Sequence, residues 1–161
     1  KKMDQYNKLK ITSINEGNIV KQSVLNSQIV HIKTSQTIQD ALFYENFEVA
    51  YIKGDLVETM GLNSLLWTFN LQGFNFPSLK EIGQSAFYAS TSISFILLQN
   101  VVSLTNTAFS YCSSLKVVVM EKVEVIPESC FCECYNLQAI MFDKARYIKS
   151  DAFYGCFSLN Y

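Results

Sequence analysis

The chain has 161 residues, of which 49% are hydrophobic and 17% are charged, so its apolar content suffices for one domain with a substantial core. The 13 basic and 14 acidic residues are spread along the chain and leave a net charge of −1, which gives no electrostatic basis for binding nucleic acid or an anionic membrane. The sequence contains no run of about 18 apolar residues, and it therefore predicts no membrane insertion within this segment.

The first segment, residues 1–28, shows only a blurred pattern. Leu9, Ile11 and Ile14 fit the register of the later residues only if one residue is deleted, so we expect an irregular or degenerate first coil. The amino terminus lacks the apolar stretch of a signal peptide. Because the chain begins with a lysine and its last unit stops in mid-strand at Tyr161, we expect it to be a fragment of a longer protein.

Residues 29–161 are organised as a repeat of 22 residues. Its clearest sign is a phenylalanine that recurs at this spacing and follows a small residue in each copy: Phe87, Phe109, Phe131 and Phe153. Leu65 and Phe43 continue the column backward through two degenerate copies. A fixed period of this length is the sequence signature of a solenoid, in which each unit forms one coil and stacks on its neighbours.

Each unit also carries a strand signature, because the positions nine and eleven residues after the phenylalanine column are apolar in nearly every copy. Ile96 with Leu98 is one example, and such alternation places both side chains on one face of a strand. One strand per coil predicts a single parallel β-sheet on the concave side of the solenoid. The phenylalanine segment is expected to return on the convex side as a short helical or 3-10 turn. The predicted fold class is thus an α/β solenoid.

Three segments carry a recognisable motif. Ile82–Phe87 reads I-G-Q-S-A-F, Ala108–Leu115 reads A-F-S-Y-C-S-S-L, and Ala152–Leu159 reads A-F-Y-G-C-F-S-L. These segments resemble the BspA-like leucine-rich repeats, also called the Treponema pallidum type, whose unit reads roughly I-G-x-x-A-F-x-x-C-x-x-L-x-x-I-x-L-P. The resemblance covers about residues 29–161 and implies a leucine-rich repeat solenoid.

Two departures from the family pattern bear on the curvature of the coils. The unit has 22 residues instead of the commoner 23, and the proline that ends the strand is mostly replaced, by Gln99, Glu121 and Asp143. Proteins of the family that the chain resembles are commonly surface or secreted proteins with adhesive or other interaction roles. The resemblance therefore implies an interaction or adhesion module at the cell surface or in a secreted protein.

Residues between the inward-facing positions of each strand are expected to point outward onto the concave face. In the carboxyl-terminal half these residues are strongly apolar, and a contiguous apolar patch on a soluble protein usually marks an interaction site. We predict a protein-binding site at Tyr51, Phe95, Leu97, Val117, Val119 and Met141. Its predicted polar rim consists of Lys33, Asp55, Gln99, Glu121 and Asp143.

Other interpretations of this surface remain open at the sequence level. The patch would equally suit a structural segment that self-associates or is covered by another part of the parent protein, and β-branched residues also favour strands without any binding role. A carbohydrate binder is a further alternative, because the amino-terminal half combines an aromatic residue with hydrogen-bonding groups at Tyr51, Lys53, Asp55 and Asn75.

The sequence predicts no enzyme, no cofactor and no metal site. Cys112, Cys134 and Cys156 recur at the repeat spacing, which favours small buried thiols over metal ligands. The chain lacks paired C-x-x-C motifs, and its one histidine, His31, lies far from the cysteines in sequence. His31 is also the sole candidate for a general base near neutral pH, and no nucleophile motif or glycine-rich phosphate loop accompanies it.

Overall fold

The computed structural model describes residues 11–14 and 28–160, so most of the predicted first coil lies outside the described part of the chain. A first column of parallel strands contains one strand from each coil: β1 (Ile11–Ile14), β2 (Ile29–Ile32), β4 (Tyr51–Lys53), β6 (Gly73–Asn75), β8 (Phe95–Leu97), β10 (Val117–Val119) and β12 (Ala139–Met141). Val118 pairs with Ile96 on one side and with Ile140 on the other, so the register follows the 22-residue repeat. Parallel pairing in this register confirms the predicted strands.

β1 pairs with β2 at a shorter offset than the 22-residue repeat: Ile11 pairs with Ile29, and Ile14 pairs with Ile32. This offset is smaller than the one that a single-residue deletion would give. Leu9 lies outside the described residues, and the irregular first coil over residues 1–28 stays a prediction.

A second column of parallel strands corrects the prediction of a single sheet. Its members have two residues each: β3 (Thr37–Ile38), β5 (Thr59–Met60), β7 (Glu81–Ile82), β9 (Ser103–Leu104), β11 (Val125–Ile126) and β13 (Tyr147–Ile148). Each of these strands from β3 to β11 buries one residue, namely the aliphatic residue that stands five positions before the phenylalanine column. A strand of two residues shows no alternation in the sequence, and for that reason the periodicity analysis missed it.

The prediction of helical or 3-10 turns around the phenylalanine column is wrong, because the described residues form no helix there. The N–H of Phe87 donates to the carbonyl of Ala108 in the next coil (2.8 Å), whereas the N–H of Ser90 donates to Phe87 three residues back (3.0 Å). Ser85 and Ala89 have positive φ angles of 51° and 54°. Donation between coils and left-handed backbone are both incompatible with a continuous helix, so this side of the solenoid is a ladder of turns.

The phenylalanine column forms the centre of the core. Phe87 and Phe109 stack with centroids 4.9 Å apart, and Phe109 and Phe131 stack at 5.4 Å with an angle of 1° between their planes. Phe153 continues the stack from Phe131 at 5.5 Å. Such ring pairs contribute about 0.5–1.5 kcal/mol beyond their buried area. The stack therefore ties each coil to the next at the same repeat position.

Each column of strands is interrupted once. In the first column, β1, β2, β4 and β6 form one hydrogen-bonded sheet and β8, β10 and β12 form another. Phe74 of β6 occupies an inward position that holds Ile52 and Ile96 in the neighbouring coils, and its ring packs 4.8 Å from Phe87. We attribute the break between β6 and β8 to this larger side chain. In the second column the break lies between β9 and β11, where Pro127 has no N–H to donate to the preceding coil.

Candidate binding surface

Alternation within β8 decides which side chains face outward. Phe95 and Leu97 are 54% and 50% exposed, whereas Ile96 between them is 1% exposed. The same alternation holds in β10, where Val118 is fully buried and Val117 and Val119 are partly exposed. Successive side chains of a strand point to opposite faces. In a three-residue strand with a buried middle residue, the first and third side chains therefore point outward.

Parallel pairing brings the outward residues of three coils side by side. Phe95 lies beside Val117, and Leu97 lies beside Val119. Val119 in turn lies beside Met141, which is 56% exposed. Neighbouring strands are about 4.8 Å apart, so these side chains form one continuous surface. We call it the apolar patch: Phe95, Leu97, Val117, Val119 and Met141.

Polar residues flank the apolar patch at both ends of its strands. Beyond the carboxyl ends, the amide nitrogen of Gln99 donates to Oε1 of Glu121 (3.2 Å), and Asp143 is exposed in the next coil. Before the amino ends, Ser94, Lys116 and Gln138 are exposed. The arrangement is an apolar centre with a polar rim, which is the usual anatomy of a protein interface.

Tyr51 is separated from the apolar patch. It lies on β4, beside Gly73 of β6, and the break between β6 and β8 stands between it and Phe95. The structure thus brings together five of the six predicted site residues and places the sixth on the other sheet. Of the predicted rim residues, Asp55 lies away from the apolar patch, where it forms an ion pair with Lys53 of β4 (3.5 Å).

A groove of about 230 Å³ runs along the break between the two sheets. Its wall includes Phe74 and Phe76 on one side and Leu97 and Leu98 on the other. Because Leu97 also belongs to the apolar patch, the groove opens beside the patch. This groove could not be predicted from the sequence, since it depends on how two strands fail to pair.

Exposed aromatic residues on the turn side were also missed by the sequence analysis. Phe47 stacks on Phe69 with centroids 5.5 Å apart, and Tyr135 stacks on Phe157 at 6.1 Å. These four residues occupy one position of the 22-residue repeat, and this recurrence is the signal that could have revealed them. Their stacking joins neighbouring coils at the surface.

The recurring thiols lie in the core. Sγ of Cys112 donates to the carbonyl of Phe87 (3.1 Å), and Sγ of Cys134 donates to the carbonyl of Phe109 (3.2 Å). Both residues are buried, which confirms the interpretation of these positions as small core residues, while Cys156 in the last described coil is half-buried. Ser90 occupies the same repeat position, and its hydroxyl donates to the carbonyl of Leu65 (3.1 Å).

Burial controls the acidity of these thiols. It raises the pKa of Cys112 from 9.0 to about 12, and it raises the pKa of Cys130 as well. A hydrogen bond between the thiols of Cys134 and Cys156 raises the pKa of Cys134 and lowers that of Cys156. Thiols with raised pKa values are protonated near neutral pH, so they are poor nucleophiles and poor metal ligands.

The described residues were also searched for side chains that could hold a metal ion and for membrane spans. Within residues 11–14 and 28–160, no group of three histidine, cysteine or acidic residues is placed to hold a metal ion. His31 lies on β2 and is partly exposed. Over the same residues, no helix is long and apolar enough to cross a membrane.

Comparison with known families decides the classification of this solenoid. The model of the BspA type leucine-rich repeat region matches residues 58–161 in six copies. The chain belongs to the BspA-type leucine-rich repeat family. The predicted resemblance is therefore confirmed, and the ladder of turns, the two columns of short strands and the thiol column are features of this BspA-type solenoid.

Several solved structures share the fold of the BspA-type solenoid. A leucine-rich cell surface protein from Faecalibacterium prausnitzii superposes with a TM-score of 0.74 at 21% identity, over 84% of this chain and 47% of that protein. The T. pallidum leucine-rich repeat protein gives a TM-score of 0.63 at 18% identity, over 83% of this chain and 78% of that one. A leucine-rich repeat protein from Bacteroides ovatus gives 0.68 at 21% identity, over 93% and 47% of the two chains.

These similarities establish the fold and leave the activity to be argued from the surface. The chain spans about half the length of the F. prausnitzii and B. ovatus proteins. No curated protein matches it in sequence.

Proposed function

We propose that this chain is a protein-binding module and that the apolar patch is its binding surface. The observation that carries the proposal is the lateral continuity of Phe95, Leu97, Val119 and Met141, which present apolar side chains to solvent from three adjacent strands. Soluble proteins seldom expose contiguous apolar surface beyond roughly a few hundred Å² unless it binds something. An interface formed there removes this surface from water.

The same outward positions in the amino-terminal coils argue against a purely structural explanation. The column that holds Leu97, Val119 and Met141 holds His31 and Lys53 in β2 and β4. These strands form with polar residues at the positions in question, so strand formation alone does not require apolar ones there. The apolar side chains that β8, β10 and β12 present instead suit a surface that a partner covers.

The groove beside Leu97 supports a protein ligand in particular. Interfaces derive most of their binding energy from a few large side chains that fill well-packed pockets. A groove of about 230 Å³ offers such a pocket at the edge of the apolar patch, and polar residues line it together with Phe74 and Leu97: Asn75, Gln99 and Asn100. We expect a partner to place in it a large side chain that also forms hydrogen bonds, such as tyrosine.

Location at the cell surface is part of the proposal. One solved structure with the same fold is a leucine-rich cell surface protein, and another is the pneumococcal vaccine antigen PcpA, with a TM-score of 0.60 at 17% identity over 80% of this chain and 35% of that one. An adhesive or receptor-like role outside the cell is consistent with these neighbours. Leucine-rich repeat solenoids of this kind typically serve as scaffolds for binding, and no catalytic role is proposed.

The test replaces Leu97 and Val119 with lysine in one variant. Both side chains point away from the core, so the fold tolerates the change, while two buried charges would weaken an interface by roughly 100-fold or more. The immobilised protein is used to capture proteins from cell-surface extracts, and bound proteins are quantified by mass spectrometry. We expect a set retained by the wild-type chain to be lost by the variant.

A matched control replaces Leu56 and Val102 with lysine. These residues are 49% and 53% exposed, which equals the exposure of Leu97, but they lie outside the apolar patch. The control should retain the captured proteins. Equal capture by the patch variant and the control would contradict the proposal, and a mass in light scattering that doubles with concentration and reverts in the patch variant would show that the patch binds a second copy instead.

A further inference from the structure

We infer that a second, independent site on this chain binds a neutral sugar unit of a glycan. The site is an open cavity of about 520 Å³ on the sheet formed by β2, β4 and β6. Its lining consists of Gln28, Ile29, Ala50, Tyr51, Gln72 and Gly73. It lies on the opposite side of the break between the sheets from the apolar patch.

Tyr51 supplies the apolar contact of this site. Gly73, its neighbour on β6, has no side chain, and a methyl group built there would lie 3.6 Å from Cδ2 and Cε2 of Tyr51. The tyrosine ring therefore leans over the space that a side chain at position 73 would fill, while the residue remains 37% exposed. A pyranose ring has an apolar C–H face that packs against an aromatic ring of this kind.

Gln28 and Gln72 line the mostly apolar cavity, each directly before a strand that flanks β4. Their backbone groups take part in the ladder between coils. Each side-chain amide offers one acceptor oxygen and two donor N–H groups at a fixed separation. That combination suits adjacent sugar hydroxyls, which both donate and accept.

The charge of the site indicates a neutral ligand. All six lining residues are uncharged. The nearest charged side chains on the same strand and its following turn are Lys53 and Asp55, which pair with each other at 3.5 Å and so compensate one another. Among the described residues of the lining, none offers a counter-charge to a nucleotide, an acidic sugar or a charged peptide, whereas a neutral hexose needs none.

The experiment is saturation-transfer NMR on the whole chain with four neutral oligosaccharides: maltohexaose, lactose, mannotetraose and chitotetraose. We expect at least one to bind with a dissociation constant on the order of 1 mM, because the site offers a single ring and a few hydrogen bonds. Replacing Tyr51 with alanine should weaken that affinity about tenfold, and replacing it with phenylalanine should preserve it within about threefold. Tyr147→Ala, which removes an exposed tyrosine from β13, should change nothing.

Two outcomes would overturn the inference: no saturation transfer to any of the four sugars, or undiminished binding by the folded Tyr51→Ala variant. The sugar site and the apolar patch are separable in the same assay. The variant with lysine at Leu97 and Val119 should bind the sugar as the wild type does, even where it has lost its protein partners.

Discussion

Single repeat positions carry ladders of side chains from coil to coil. At one of them Thr68, Ser90, Cys112 and Cys134 succeed one another, and Thr68 and Ser90 share a hydrogen bond of 2.8 Å. The thiols continue this ladder by donating to the carbonyls of the preceding phenylalanine column. In each of these coils a small side chain, with either a hydroxyl or a thiol as donor, therefore satisfies one buried backbone carbonyl.

The raised pKa of Cys112 makes stability depend on alkaline pH. The folded protein holds this thiol protonated up to about pH 12, whereas the unfolded chain releases the proton near its ordinary value of 9.0. The contribution is complete below pH 9 and is lost as the pH rises from 9 toward 12. We expect the free energy of unfolding to fall there by about 1.4 kcal/mol per pH unit for each such thiol.

Urea unfolding at a series of pH values measures this slope. Cys112→Ser should reduce the slope of the unfolding free energy against pH by the contribution of one thiol, because serine does not ionise in this range. Serine fits the position, since Ser90 occupies the same repeat position one coil earlier. A slope identical in the variant and the wild type would show that Cys112 is not buried in the folded protein.

At the scale of elements, two coils approach each other closely at Gly83, directly after β7. The N–H of Gly83 donates to the carbonyl of Met60 (2.8 Å), and a methyl group on Gly83 would lie 2.6 Å from that oxygen and 2.7 Å from the backbone of Gly61. No rotation of a side chain relieves a clash with backbone atoms. The spacing of these two coils thus depends on glycine at position 83.

We expect Gly83→Ala to lower the free energy of unfolding by about 2 kcal/mol, since the coils must separate and the hydrogen bond must lengthen. Gly73→Ala is the matched control. Its added methyl group meets only the ring of Tyr51 at 3.6 Å, an ordinary contact, so its effect should stay within about 1 kcal/mol of zero. Thermal unfolding of the two variants compares them directly, and equal losses of stability would refute this account of the coil spacing.

The elements that the sequence predicted are those with a readable pattern. Three-residue strands such as Phe95–Leu97 show alternation, and the 22-residue period fixed their register. The turn ladder could not be predicted, because its left-handed positions hold residues such as Ala89, Thr107 and Tyr111 that favour other conformations. Among the described residues with positive φ, Gly155 (φ 75°), Asn63 (φ 54°) and Asp151 (φ 55°) are of the types that commonly indicate such a turn. Hydrogen bonds between coils impose this left-handed backbone conformation. Such bonds leave no local pattern in the amino-acid sequence.

At the scale of the whole molecule, the break between β6 and β8 divides the outward face into two surfaces. The outward orientation of the side chains of Phe95, Leu97 and Val119 could be predicted from the strand alternation alone. The separation of Tyr51 from them could not, because it follows from the bulk of Phe74 and from the absence of a side chain at Gly73. One predicted surface is thus two: the apolar patch, and a second, uncharged surface that carries an aromatic ring.

Site-specific photo-crosslinking tests the central claim most directly, namely that the partner contacts the apolar patch. A benzophenone amino acid is introduced at Leu97 in one protein and at Val102 in another, two positions of similar exposure, and both proteins are irradiated in the same cell-surface extract. We expect a defined protein adduct from position 97 and none from position 102. Adducts of equal yield at both positions, or adducts at position 102 alone, would contradict it.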